Sequence, residues 1–448
     1  MPNRFSTFYS LPRVVAGSVV SVSRPSRDIE QDMKNYQAEH GNNRTAVHCL
    51  CLIHPIDPRG RKIGGIETHI RLVLRHAPAE WRVLMIGVDG YGNCRLGEPT
   101  NILIDGRSIE FLPVIYFPEQ NIHTAATKLQ QSITARFGLG LLRHLFRVRR
   151  AIGNGPATIE LQRFEFAVLP LLLRRPAVQI IHGEGSKTDK MDSLIKKYWF
   201  VHRTMEETAI RAAHAIVCVN PNIEAKIKHK LPSRANLVDF MPVAVDTEVF
   251  KQAAFDRREG IFRVVFTGRL DEFKDPPTMF RTLRAVHDRL AGRFEFHYIG
   301  TSDPHRYAEF SEIEPFTIRH GYRAAAEVAA IIARCHAGIL TSFFEGMPCY
   351  LLELLAVGRP VAAIRLPQYD LVVEESVSGA LVERRADDAE TVHELADRLV
   401  TIWLAIERGE LDPQRIRAKV EPFSTASLLG RHFTRHQKIW HASRNSVP

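Results

Sequence analysis

The sequence predicts an α/β fold built from two Rossmann-like, doubly wound domains that face each other across a cleft. Short apolar runs alternate with amphipathic helical segments, as in TAVHCLCLIH, IETHIRLVLRHA and RVLMIGV, and that β-α-β order calls for a parallel sheet. The alternation stops near Asp246 and restarts at FRVVFTG. A chain of 448 residues also exceeds what one ordinary core fills, so two domains are expected.

Composition narrows the class. With 45 % hydrophobic and 25 % charged residues, the chain has the make-up of a globular protein. No run of eighteen apolar residues offers a bilayer span. Four of the six cysteines (Cys49, Cys51, Cys218, Cys335) lie inside apolar runs and read as buried thiols of a reducing compartment. No CxxC pair or Cys/His cluster has zinc spacing, so no metal is assigned. The net charge of +10 favours anionic partners, whether nucleotide phosphates, anionic lipid or nucleic acid.

Taken in order, residues 1–44 hold a Ser/Arg/Pro patch and an apolar piece too short for a membrane helix, and read as a disordered or loosely docked extension. Residues 45–245 form the first domain. Its opening strand leads through Gly64-Gly65, where backbone can approach a phosphate, into the helix with Ile66, Ile70, Val73 and Leu74 at helical spacing. His123 to Arg150 is basic and ends LGLLRHLFRVRR. Gly138 and Gly140 predict that its helix becomes firm only from about Leu141. Such a helix reads first as a domain helix with one solvated cationic face, and it also suits an anionic membrane surface. ATIELQRFEFAVLP and AVQIIHGEG read as strand ends at one sheet edge, with His182 where open α/β sheets present ligand-binding groups.

The second domain, residues 246–424, opens with FRVVFTG. In the loop after it, Gly268 precedes Arg269 and Lys274, two cations suited to a diphosphate at a helix N-terminus. Further on, Ala337 to Thr341 reads as a buried strand, Ser342 to Met347 as a loop, and Pro348 to Gly358 as a helix bounded by the residues that suit its two ends. Glu345 on the loop and Glu353 on the helix can accept hydrogen bonds from sugar or ribose hydroxyls; taken alone they read first as a solvated loop charge and a helix-surface charge. No D-x-D triplet offers a metal clamp for a diphosphate.

Five motifs in order, GGIETHI, IIHG, VAVDTEVF, GRLDEFK and FFEGMPCYLLELLAVGRPVAA, resemble those of the retaining GT-B glycosyltransferases of family 4. The spacing of Glu345 and Glu353 matches that family's E-x7-E signature. The resemblance covers roughly residues 45–440. It implies that Glu345 and the backbone of Gly346, Met347 and Pro348 hold the donor sugar, and that Glu353 binds the ribose. Arg269 and Lys274 would hold the diphosphate as leaving group, Gly268 and the Gly64-Gly65 loop would face the phosphates, and His182 would lie beside the transferred sugar. The base pocket would use backbone near Gly300 and Arg319 to Tyr322. Residues 425–448 resemble the final helix that crosses back to the first domain.

The chain departs from the family in three places, the mildest being LLAVG after Glu353, where a helix of small residues is common. Lys274-Asp275 stands where Lys-Gly is usual, and LQRFEF stands where many members carry a histidine pair. The expected function is metal-independent, cofactor-free transfer from a UDP- or GDP-linked sugar to a glycan or lipid-linked acceptor, in polysaccharide or cell-surface glycan synthesis. The expected place is the cytoplasm, with peripheral association at the membrane's inner face. Alternatives are another GT-B activity such as a nucleotide-sugar epimerase, a non-catalytic nucleotide-sugar or glycan binder, and a basic nucleic-acid binder without any recognised module.

Overall fold

The computed structural model describes residues 47–60, 64–119, 132–182 and 199–445. The extension assigned to residues 1–44, and the start of the basic segment, lie outside them.

The first lobe runs β1 (Cys49–Ile53), α1 (Gly65–His76), β2 (Arg82–Asp89), β3 (Thr100–Ile104), β4 (Arg107–Tyr116), α2 (Ile133–Arg143), α3 (Leu145–Ile152), β5 (Ala157–Leu161), α4 (Val168–Leu173), β6 (Ala177–Ile181), α5 (Trp199–Ala212), β7 (Ala215–Cys218), α6 (Pro221–Lys230) and β8 (Val238–Phe240). Its eight strands lie in the order β3-β4-β2-β1-β5-β6-β7-β8. All pairings are parallel except β3 with β4. The second lobe runs β9 (Phe262–Thr267), α7 (Pro276–Arg289), β10 (Phe294–Ile299), β11 (Thr317–Gly321), α8 (Ala325–Arg334), β12 (Ala337–Leu340), α9 (Cys349–Ala356), β13 (Val361–Ile364), β14 (Gly379–Val382), α10 (Asp388–Arg408) and α11 (Pro413–Ala418). Its six strands are ordered β11-β10-β9-β12-β13-β14, all parallel.

Strand order decides where a ligand can sit. The chain reverses direction across the sheet between β1 and β5 in the first lobe and between β9 and β12 in the second. Loops leaving the carboxyl ends of those pairs diverge and open a crevice. After β1 comes Gly64-Gly65; after β9 come Gly268 and Arg269; after β12 comes Glu345.

The chain crosses between lobes twice, and the crossings touch. Val245 N–H donates to Phe423 O at 2.9 Å and Thr425 N–H to Val245 O at 3.0 Å. Helix α12 (Thr425–Asn445) then returns to the first lobe and buries Leu428, Leu429, Phe433 and Ile439 in its core. The linker after Asp246 is tied to the second lobe by Arg359, a fully buried guanidinium that donates to Ala253 O at 2.6 Å, Ala254 O at 2.8 Å and Ala333 O at 2.6 Å.

Two local expectations are corrected. The basic helix does not wait for Leu141: α2 begins at Ile133, capped by Ser132, whose Oγ accepts from Ala135 N–H at 3.5 Å. Gly140 is there for contact, since a Cβ on it would lie 2.9 Å from Val114 O. It lets the helix backbone press onto β4, a gain that outweighs glycine's low helix propensity. FEFAVLP is no strand end but a 3-10 turn leading into α4, since a continuous apolar run such as VLPLLL fits a buried helix as well as a strand. An antiparallel edge hairpin, β3-β4, also appears around Asp105 and Gly106, both at positive φ.

Candidate active site

Residues placed apart in the sequence meet where the lobes face each other. The N-termini of α1 and α9 come together: a Cβ on Gly65 would lie 3.8 Å from Cys349 Sγ. Beside them, a Cβ on Gly346 would lie 3.2 Å from His182 O and 3.3 Å from Val219 Cγ2, so the second lobe's loop rests against the end of β6. Lys274 Nζ donates to Glu345 Oε1 at 2.6 Å, and Ser342 Oγ donates to the same oxygen at 2.9 Å. The Glu345 carbonyl accepts from Gln368 Nε2 at 2.9 Å and from Asn220 Nδ2 of the first lobe at 3.4 Å. Two helix N-termini bring unpaired N–H groups and partial positive charge to one spot, which favours an anion.

A cavity of about 960 Å³ lies between the lobes, lined by none of Lys274, Glu345, Gly346 and His182. Its wall holds Gly268, Arg269 and Glu353, together with Gly300, Gly321 and Tyr322 from the expected base pocket. Gly300 is obligatory there, because a Cβ would collide with the Gly268 carbonyl. Burial pushes the Glu353 carboxyl up to about 7, so it changes charge near neutral pH. Thr267 Oγ1, at the end of β9, is buried without a hydrogen-bond partner among the described residues and faces the same space.

The two cations do not share a partner. Lys274 is held by Glu345, whereas Arg269 lies on Asp271 at 2.9 Å and is about half exposed at 47 %. Met347 turns its side chain into the core of the second lobe, leaving only its backbone for a ligand. Pro348 caps α9 and has no N–H, so it cannot donate to a sugar hydroxyl as its neighbours can. The Lys274-Asp275 departure has a structural answer. Asp275 has φ +51, the left-handed region where glycine is usual, and it is held there by capping Thr278 N–H and by Arg384 at 2.7 Å.

A buried hub in the first lobe escaped the sequence. Glu160, on β5, accepts from His69 Nε2 at 3.1 Å, His432 Nε2 at 2.6 Å, His436 Nε2 at 3.2 Å and from Gln162 Nε2. His432 and His436 come from the returning helix α12, so no local pattern could announce them. Burial acts to raise the Glu160 carboxyl, and the histidine donors more than reverse it, holding it well below the usual carboxylate range. The ligand atoms of His69, Glu160 and His432 lie within 4.8 Å of one another, as a metal would need. Arg435, however, can only donate, and its Nη1 sits 3.2 Å from His432 Nδ1. That leaves the His432 proton on Nε2, the nitrogen facing Glu160, so the group is a hydrogen-bond hub in this arrangement. Gln162 extends it to the cleft: its Nε2 is committed to Glu160, so its Oε1 accepts from His182 Nε2 at 2.5 Å. Burial lowers His182 to about 3, which keeps its ring neutral.

Comparison with known proteins accords with this fold. Residues 261–403 match the family model described as glycosyl transferases group 1. Among solved structures, sucrose-phosphate synthase from Thermosynechococcus elongatus superposes with TM-score 0.69 at 18 % identity, covering 88 % of this chain and 100 % of that one. HepE from Anabaena, in complex with UDP, gives TM-score 0.63 at 15 % identity, with 88 % and 100 % covered. An E. coli structure described as trehalose-6-phosphate bound with UDP-2-fluoro glucose gives 0.61 at 12 % identity, with 87 % and 99 % covered. No curated protein matches the chain. The chain has the GT-B fold, and residues 261–403 of its second lobe match the model of glycosyl transferases group 1.

Proposed function

We propose that the chain is a retaining glycosyltransferase that moves a sugar from a UDP- or GDP-linked donor to a glycan or lipid-linked acceptor, in polysaccharide or cell-surface glycan synthesis, without a metal. The observation that carries this reading is the meeting of the α1 and α9 N-termini beside Lys274 and Glu345, a cationic seat of the right kind for a diphosphate. Arg269 and Lys274 take up charge on the leaving diphosphate. Glu353 accepts from ribose hydroxyls, with Gly300, Gly321 and Tyr322 around the base. Glu345 and the N–H groups of Gly346 and Met347 hold the sugar. Gly64, Gly65 and His182 complete the wall on the acceptor side, and His182 offers its unprotonated Nδ1 to a hydroxyl.

In the reaction, the bond between the anomeric carbon and the diphosphate oxygen breaks while the acceptor hydroxyl attacks from the same face. The departing phosphate oxygen receives the acceptor's proton, so the sugar keeps its anomeric configuration and nucleoside diphosphate leaves. This needs no carboxylate at nucleophile distance. The chain works in the cytoplasm in this scheme.

The test is thermal stability with UDP or GDP in the presence of a chelator, followed by hydrolysis and transfer assays with the sugar forms of the better binder. A rise in melting temperature and release of nucleoside diphosphate are expected. Nucleotide binding without sugar release or transfer would leave a non-catalytic binder, and stabilisation by nucleic acid alone would overturn the reading.

A further inference from the structure

The outer face of the first lobe exposes more apolar side chain than folding requires. Helices α2 and α3 bury Phe137, Leu141, Val148 and Ile152 against the sheet, as amphipathic helices should. Yet Leu139, Leu142 and Phe146 point outward, Phe146 with 85 % of its surface exposed. Helix α4 buries Leu169 and Leu173 but leaves Val168, Leu171 and Leu172 exposed. The two groups are neighbours. Arg163 Nη1 donates to Thr134 Oγ1 at 2.8 Å, and the Phe137 and Phe166 rings stand 5.2 Å apart, tying α2 to the turn that enters α4.

The charge on this face is mostly positive, and Glu165, on the turn into α4, is paired with Arg163. Arg143, Arg147, Arg149, Arg150 and Arg174 are all exposed around the leucines. No Asp or Glu occurs between residues 132 and 159. The apolar groups protrude from helix surfaces instead of lining a groove. Protruding leucines and a phenylalanine inside a ring of arginines match a surface that is apolar within and anionic at its boundary.

We propose that this face docks on an anionic phospholipid bilayer, with the leucines and Phe146 among the acyl chains and the arginines on lipid phosphates. A second copy of the chain fits less well, because a two-fold interface would set arginine against arginine. The docking stands apart from the sugar-transfer reading, since neither the cavity nor the Lys274–Glu345 pair takes part. It deepens the role of the basic segment by adding α4, which is far from that segment in charge and composition.

Sedimentation of the full chain with vesicles tests it. Binding is expected to phosphatidylcholine vesicles containing phosphatidylglycerol, little to phosphatidylcholine alone, and less as salt rises. The combined change Leu142→Ser, Phe146→Ser and Leu171→Ser should lower partitioning by about tenfold or more. Arg149→Gln should lower it roughly fivefold. A wild-type chain that ignores anionic vesicles would overturn the proposal. So would a triple variant that binds as wild type does, which would put the contact elsewhere, residues 1–46 included. A dimer split by the triple variant, without vesicle binding, would assign the face to self-association instead. The nucleotide-induced rise in melting temperature must be unchanged in the triple variant, which shows the fold intact. Absence of that rise in both forms would sink the sugar-transfer reading and leave the vesicle result standing.

Discussion

Glu345 in the second lobe and Glu160 in the first are both carboxylates near the end of a parallel strand, and both are held by cations or N–H donors. They differ in what surrounds them. Glu345 keeps 11 % of its side chain exposed and its partner Lys274 keeps 16 %, at the mouth of a cleft. A ligand can replace either partner there at modest cost. Glu160 has no exposed surface, and four donors occupy its two oxygens. A ligand could enter only by breaking the hub. The open pair is therefore fit for exchange with substrate, and the closed one for holding Gln162 and, through it, His182 in place.

The contrast breaks most readily at the hub. Glu160→Leu strands three imidazole N–H groups and an amide in a dry interior, and should cost about 3–5 kcal/mol of stability in urea unfolding. Unchanged stability would mean that the hub is wet. In the cleft the loss should fall on turnover instead. Arg269→Ala should lower kcat by about 10²-fold or more, with the urea midpoint close to wild type. Equal turnover would remove Arg269 from the leaving-group site.

Glu353 sharpens the comparison through pH. The folded chain keeps its proton up to about 7, whereas the unfolded chain loses it near the ordinary carboxylate value. Stability contributed at this site therefore falls as pH climbs through that window and stays low above it. Glu353→Gln should raise stability by about 2 kcal/mol at pH 8 and have little effect at pH 4, measured by thermal unfolding at both. The same change should weaken nucleotide binding most above neutral pH. The smallest effect is expected at Asp275. Asp275→Gly relieves the positive φ but loses the cap and the Arg384 contact, so the net change should stay within about 1 kcal/mol.

Much of the second lobe's candidate site was legible because its chemistry is local. Arg269, Lys274, Glu345 and Glu353 lie in loops or helix turns next to strands whose apolar runs are plain in the sequence, and the structure brings them to one side of one lobe. The strand alternation likewise gave both sheets. The first lobe's site was less legible, because its parts come from distant places. Glu160 sits inside an apolar strand, and His432 and His436 arrive from a helix 270 or more residues later. Gln162 becomes meaningful only once Glu160 is known to claim its amide. The Asp105-Gly106 turn was a signal present and unused, since that pair between two strand-like runs marks a hairpin. Gly140 shows the opposite error, a residue read for its propensity when its value lay in close contact.

The returning helix α12 has a consequence for anyone who cuts this chain. A fragment ending at residue 424 contains every strand of both sheets, yet it strips Leu428, Leu429 and Phe433 from the first lobe's interior and takes two of Glu160's donors with them. The tail end of the polypeptide is thus a structural part of its beginning. Dividing the gene at the linker would yield two incomplete bodies, and the first half would need the last twenty-odd residues supplied in trans before it could stand alone.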